Sequence, residues 1–229
     1  GKELKEKLYT GLVLTCVGGK RENGELFPLS YKQSRRENAP LDKMVAHLTA
    51  KQGWAGEIRP FTPLHGSDER QYCSPGFNLP VGQIARAVYG TYQQYHNSLD
   101  TKEFMTIEAL QHTVDELERL FMALEMDGYY VNTKPYGEVK LDKHNLYPDM
   151  NAPSVWGRSS NTILDGRTLL NHVLMILNYS DGQHTLQEIA ERYGCTITDM
   201  VGVVEVLQEK GLLKGPYFEK QELEDYGEE

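Results

Sequence analysis

The chain has 229 residues, 39% hydrophobic and 25% charged, enough apolar material for one large or two modest domains and too much for a disordered chain. Its net charge of −9 and pI near 5.3, without any extended basic run, argue against nonspecific nucleic-acid or anionic-membrane binding. Three widely spaced cysteines, Cys16, Cys73 and Cys195, form no C-x-x-C and fit reduced thiols; with no apolar stretch of membrane-spanning or signal-peptide length, a cytoplasmic protein is expected.

The mixed-charge segment from Gly1 to Leu8 is helix-prone and reads as the tail of an element that began earlier. Leu12 to Val17 has the continuous apolar, β-branched character of a buried strand and ends at Gly18-Gly19, which points to a sheet covered on both faces. A second strand is expected within Leu29 to Ser34. Leu41, Met44, Val45 and Leu48 then fall at helical spacing from Pro40, with Gly53 as the stop. This alternation is an α/β signature.

Gly66 to Asp100 has the densest chemistry in the chain. The run Gly66-Ser67-Asp68-Glu69-Arg70-Gln71-Tyr72-Cys73-Ser74-Pro75-Gly76 and the run Tyr95-His96-Asn97-Ser98-Leu99-Asp100 flank a half-apolar strand, Val81 to Arg86, so each motif sits on a loop at one end of it. Asp68, Glu69 and Arg70 fit either a structural ion-pair cluster or a charged site. Tyr72 can donate to a developing oxyanion or simply hold a satisfied hydroxyl. Cys73 as a nucleophile would need a histidine base that spacing does not supply, and Cys16 reads as core. His96, with Asp100 to orient it, is a candidate metal ligand, although one imidazole lacks the tight spacing of a zinc signature and is by itself more often a surface residue.

Thr106 is expected to cap a long helix whose stripe Ile107, Leu110, Val114, Leu117, Phe121 and Leu124 reads as core, closed by Asp127-Gly128. Residues 132–160, rich in Pro, Gly, Asn and Tyr, read as an ordered connector. Beyond it, a helix at Leu169 to Tyr179, a capping box Thr185-Leu186-Gln187-Glu188 opening a second, and a third capped by Thr198, followed by Gly211 to Gly215, resemble a winged helix. Its third helix carries Asp199, Glu205 and Glu209 against Lys210 alone, which would repel phosphates, so it reads as a packing or partner module. Glu219 to Glu229, with six acids and one lysine, reads as a solvated tail. The expected organisation is an α/β domain at 1–131, the connector at 132–160, the winged helix at 161–218 and the tail at 219–229.

Ser67-Asp68-Glu69, then Gly76-Phe77 and Pro80, then Tyr95-His96-Asn97-Ser98-Leu99-Asp100-Thr101, resemble the carboxy-terminal part of the zinc-dependent aminopeptidase fold of bacterial leucyl aminopeptidases and glutaminyl cyclases, a three-layer phosphorylase/hydrolase-like domain. Together with Lys134-Pro135-Tyr136-Gly137-Glu138 and the winged helix, nearly the whole chain is similar to a bacterial family of aminopeptidase-like proteins of unknown function, some of them linked by name to polysaccharide biosynthesis.

The resemblance implies zinc-assisted hydrolysis of a peptide or amide bond, with His96 as the last zinc ligand, Asp100 orienting it, Tyr72 or Arg70 near the substrate carbonyl or carboxylate, and Asp68 and Glu69 supporting them. The family's earlier ligands and general base would precede Leu12, and its Asp ligand would fall near Thr15 or Cys16, where no carboxylate stands. Two expectations follow: a hydrolase completed by an amino-terminal half, or an inactive aminopeptidase-fold binding or scaffold protein. A half-sheet would also leave an apolar edge, so homodimerisation or a missing domain is expected.

Overall fold

A computed structural model describes residues 2–223, so the last part of the acidic tail lies outside the described residues. The elements run α1 (Lys2–Lys7), β1 (Gly11–Leu14), β2 (Ser30–Lys32), α2 (Pro40–Gln52), β3 (Glu57–Arg59), α3 (Glu69–Tyr72), β4 (Val81–Ala85), α4 (Ile107–Met126), β5 (Tyr129–Asn132), a 3₁₀ turn (Leu141–His144), α5 (Gly166–Tyr179), β6 (Asp181–Thr185), α6 (Leu186–Tyr193), α7 (Ile197–Glu209) and β7 (Leu213–Tyr217). They divide into two compact units, Gly1–Leu124 and Glu125–Glu229. Among the described residues no helix is long and apolar enough to cross a membrane.

The first unit is built on a mixed sheet of order β1-β4-β2-β3. β1 runs parallel to β4, β2 parallel to β3, and the two pairs meet antiparallel, with Tyr31 opposite Ile84 and Lys32 opposite Gln83. Every residue of β4 is buried, as its central place demands. Its neighbour β1 is an edge strand, half-buried, with Leu14 48% exposed, so its apolar run does not mark a strand covered on both faces.

The two sheet faces are held differently. On one, Tyr31 reaches α2, where its hydroxyl donates to Asp42 Oδ1 at 2.7 Å. The buried Asp42 carboxylate also accepts from Ser34 N, Ser34 Oγ and Ala39 N, so one acid joins β2, the following turn and the start of the helix. Burial, and then the Asp42 charge, push the Tyr31 phenol far above its ordinary range. Gly82 lies beneath the Tyr31 ring, where any Cβ would collide with it. On the other face the segment after β3 folds back over Lys32.

α2 ends at Gly53 in the left-handed conformation, as its sequence predicts, and Thr106 Oγ1 accepts from Ala109 N at the start of α4. The buried face of α4 is Ala109, Thr113, Leu117, Leu120 and Leu124. Ile107, Val114 and Phe121 are 79%, 57% and 46% exposed, so half of the expected core stripe faces outward. An apolar line at seven-residue spacing drifts across a helix face, and here the small Ala109 and Thr113 take the inner side instead.

In the second unit α5, α6 and α7 pack around Val173, Ile176, Ile189 and Val204, and β5 is the middle strand of a sheet ordered β6-β5-β7. The carboxy-terminal unit therefore begins before β5, which sequence reading leaves at the end of the first domain. The capping box at Thr185 and Glu188 is present, whereas α7 is capped by Thr196 rather than Thr198. The outward side of α7 is occupied by the connector. Glu205 Oε2 accepts from Arg158 N at 2.7 Å and Ser159 N at 3.1 Å, and Gly202 admits the Trp156 carbonyl where no side chain would fit.

Gly82→Ala forces a methyl group into the Tyr31 ring between two buried strands. It is expected to destabilise the first unit by about 2–3 kcal/mol in urea denaturation, the upper range for overpacking.

Candidate functional site

The segment following β3 is held by a single buried ion pair. Lys32 and Glu69 are both fully buried, with Nζ 2.9 Å from Glu69 Oε1. Nζ also donates to the carbonyls of Thr62 at 2.8 Å and His65 at 2.7 Å, which uses all three ammonium protons, and it stands 5.0 Å from the centre of the Phe61 ring. Glu69 Oε2 takes the Ser67 backbone N–H at 2.8 Å. Gly66 has φ +151, and a Cβ there would strike Glu69 Oε1, so the Gly66-Ser67 step belongs to the carboxylate's seat.

The second wall rises beyond the carboxyl ends of β1 and β4. Cys16, at φ +50, accepts from Arg86 N and Ala87 N through its carbonyl, and its Sγ receives the Tyr92 hydroxyl at 3.3 Å. It is half-buried and lies past the strand, not in the core. Burial and the Cys16 contact raise the Tyr92 phenol. Tyr92 stacks on Phe104 at 5.1 Å and meets Tyr95 edge-on at 5.9 Å. Tyr95 in turn approaches Tyr89 at 5.6 Å and lies flat on His96 at 3.9 Å, while His65 meets Tyr89 edge-on at 6.1 Å. These rings link the loop after β3 to the loop after β4.

His96 is exposed and has φ +55, so a tight turn displays its imidazole with one face covered by Tyr95. Asp100 is exposed at the end of the same turn, its N–H bonded to Asn97 O, and no hydrogen bond joins it to His96 among the described residues. Arg70 is exposed, with Nε 3.4 Å from Ser67 O, Asp68 is exposed, and Tyr72 is 47% exposed. Cys73 is fully buried, and its thiol donates towards the Leu79 and Val81 carbonyls, so it is a packing residue.

The structure adds Lys32, Arg59 and Tyr89 to this neighbourhood, and it places His65, a possible companion of His96 in sequence, against Tyr89. The Tyr89 hydroxyl is buried without a hydrogen-bond partner. Burial raises its phenol, the Glu69 charge adds to this, and Arg59 and Arg70 oppose it. Tyr89, Tyr92 and Tyr95 recur every third residue, a signal the sequence did contain; Lys32 gave none, being 37 residues from its partner. Among the described residues no three His, Cys, Asp or Glu side chains are gathered closely enough to hold a metal ion.

Residues 1–127 match the family described as "Domain of unknown function (DUF4910)", and residues 128–215 match a winged helix-turn-helix family. The chain belongs to the DUF4910 family. It is 31% identical over 209 residues, 91% of its length, to a Clostridium acetobutylicum protein named "Putative polysaccharide biosynthesis protein with aminopeptidase-like domain". It also resembles the crystal structure of a "putative peptidase" from that organism, with a TM-score of 0.72 and 28% identity over 93% of the chain. The chain spans 44% of the first relative and 43% of the second.

In the DUF4910 unit, Glu69→Gln leaves the Lys32 ammonium buried and uncompensated. It is expected to cost about 3–5 kcal/mol in urea denaturation, whereas Lys32→Met combined with Glu69→Leu recovers most of that loss. His96→Ala is expected to change stability by less than about 0.5 kcal/mol, as for an exposed side chain.

Proposed function

We propose that the DUF4910 unit is the substrate-facing part of an aminopeptidase-like hydrolase of three-layer architecture, acting on a peptide-like or amide-bearing molecule. The observation that carries this reading is the exposed His96 imidazole on Tyr95, in one array of rings with the unpaired Tyr89 hydroxyl beyond the carboxyl ends of the parallel pair β1 and β4. Ligands of open α/β sheets bind beyond carboxyl strand ends. The names carried by the two Clostridium proteins support the same class of chemistry. In this reading Arg70 and Tyr72 face the substrate carbonyl or carboxylate, and Tyr89 is a further donor beside them.

The resemblance to zinc aminopeptidases implies a metal, which would polarise the scissile carbonyl and activate water. The residues described here do not fit zinc by themselves, because three or four donors are needed and none of the described residues form such a group. His96 is the single ligand this reading assigns to the chain, and the remaining ligands and the general base would come from elsewhere in the protein.

A second reading is favoured by one observation. Thr15 and Cys16 stand where the resemblance expects a carboxylate ligand, and the Cys16 sulfur is engaged by Tyr92. An aminopeptidase fold that binds its ligand without metal, in a protein of surface-polysaccharide biosynthesis, would look like this.

Mass-spectrometric metal analysis of the complete gene product, purified without chelator or affinity tag, separates the two. The hydrolase reading expects zinc near one per chain in the wild type and its loss in His96→Ala. Metal-free wild type supports the binding reading, and zinc retained in His96→Ala removes His96 from the site.

A further inference from the structure

The carboxy-terminal unit contains two cavities that the reading above does not use. The first, of about 320 Å³, lies between the connector and α5, bordered by Glu138, Leu141, Leu177, Asn178, Ser180 and Asp181. The second, of about 420 Å³, is bordered by Asn171, His172 and Cys195, and both share Leu174, Met175 and Tyr193. Each volume is that of a small-ligand pocket, and the shared walls put the two side by side along α5.

Each cavity is bordered by a residue with one buried polar side-chain atom that has no partner. Ser180 is 1% exposed, and its backbone groups are spent: its N–H bonds Ile176 O and its carbonyl accepts Asn132 N. Its Oγ has no hydrogen-bond partner and is closed off behind the cavity wall. His172 is 3% exposed, and its Nδ1 is also unpartnered. Burial depresses this imidazole and keeps it neutral, and the Asp199 backbone carbonyl favours a proton on the other nitrogen, leaving Nδ1 as a bare acceptor. Buried polar groups left unpaired are costly and rare in folded proteins.

The charge of the lining selects the ligand. Neither cavity is bordered by Lys or Arg, whereas the first has the carboxylates of Glu138 and Asp181. Asp181 is committed to His184 Nδ1 at 3.0 Å and to the Gln183 N–H at 2.8 Å. Glu138 is exposed and forms no ion pair among the described residues. The remaining walls, Leu141, Leu174, Met175 and Leu177, are apolar. An anion would meet two carboxylates and no cationic side chain there; an ammonium group would meet the Glu138 carboxylate with room for an aliphatic body.

We propose that the winged-helix unit carries a binding site for a small amphipathic amine, its ammonium group on Glu138 and its apolar body along Leu141, Leu174 and Leu177. The unit would then sense or position such a molecule, a role independent of the first unit's chemistry and of α7, whose outward side is covered.

The test uses the full chain, ¹⁵N-labelled, titrated with n-hexylamine and, in parallel, with hexanoate and n-hexanol as chain-matched anion and neutral probes. The amine is expected to saturate with a dissociation constant on the order of 1 mM, the scale for so small a ligand, and to shift the amides around Leu141, Leu177 and Ser180. Glu138→Gln, at an exposed position, should weaken it about fivefold, the value of one charge-assisted contact. Leu174→Trp, which fills the shared wall from a half-exposed position, should abolish binding while leaving the remaining amide spectrum intact. Equal binding of hexanoate, an unchanged affinity in Glu138→Gln, or no saturable shift at about tenfold the expected constant would overturn the proposal.

Discussion

The Lys32–Glu69 pair decides where the segment after β3 lies. That segment has little apolar content with which to hold itself on the sheet: Leu64 is 84% exposed and His65 is exposed. Two charges without solvent cost several kcal/mol each, and they persist here because every ammonium proton and both carboxylate oxygens have partners. The pair thus works as a latch. It ties the end of β2 to α3 and to the carbonyls of Thr62 and His65, and from that position His65 reaches Tyr89. The Asp68-Glu69-Arg70 run is therefore structural at Glu69 and exposed at Asp68 and Arg70, so the same three residues provide both a foundation and a surface.

The second unit shows how a fold can keep its shape while its usual surface is put to other use. A winged helix ordinarily offers its third helix to a groove, but α7 carries a glycine that admits the Trp156 carbonyl and a glutamate that takes two N–H groups of the same connector. The chain itself covers that side. Fold membership alone consequently says little about what this unit binds, and its cavities say more.

Much of the architecture was legible from local chemistry. Gly53, Thr106 and the Thr185–Glu188 box act within one helical turn, and the structure places them as the sequence suggests. The exceptions share a cause, which is tertiary position. Leu12 to Val17 looks like a central strand because β-branched runs do not record which strand becomes an edge. Ile107, Val114 and Phe121 look buried because seven-residue spacing does not say which neighbouring face packs. β5 joined the second unit through pairings that only the fold supplies. In the site, His96, Arg70 and Tyr72 were found as exposed polar residues near special backbone positions, whereas Lys32 and Arg59 were not, since each acts through partners remote in sequence.

The account stands on the claim that the loops after β3 and β4 form one ligand-facing surface. Its most direct test is the imidazole C–H spectrum of His65 and His96 during titration of the full chain with a dipeptide bearing a free amino terminus. The account predicts concerted, saturable shifts of both histidines, reduced in Arg70→Ala. Saturable binding that leaves both histidines unmoved would place the ligand elsewhere and contradict it.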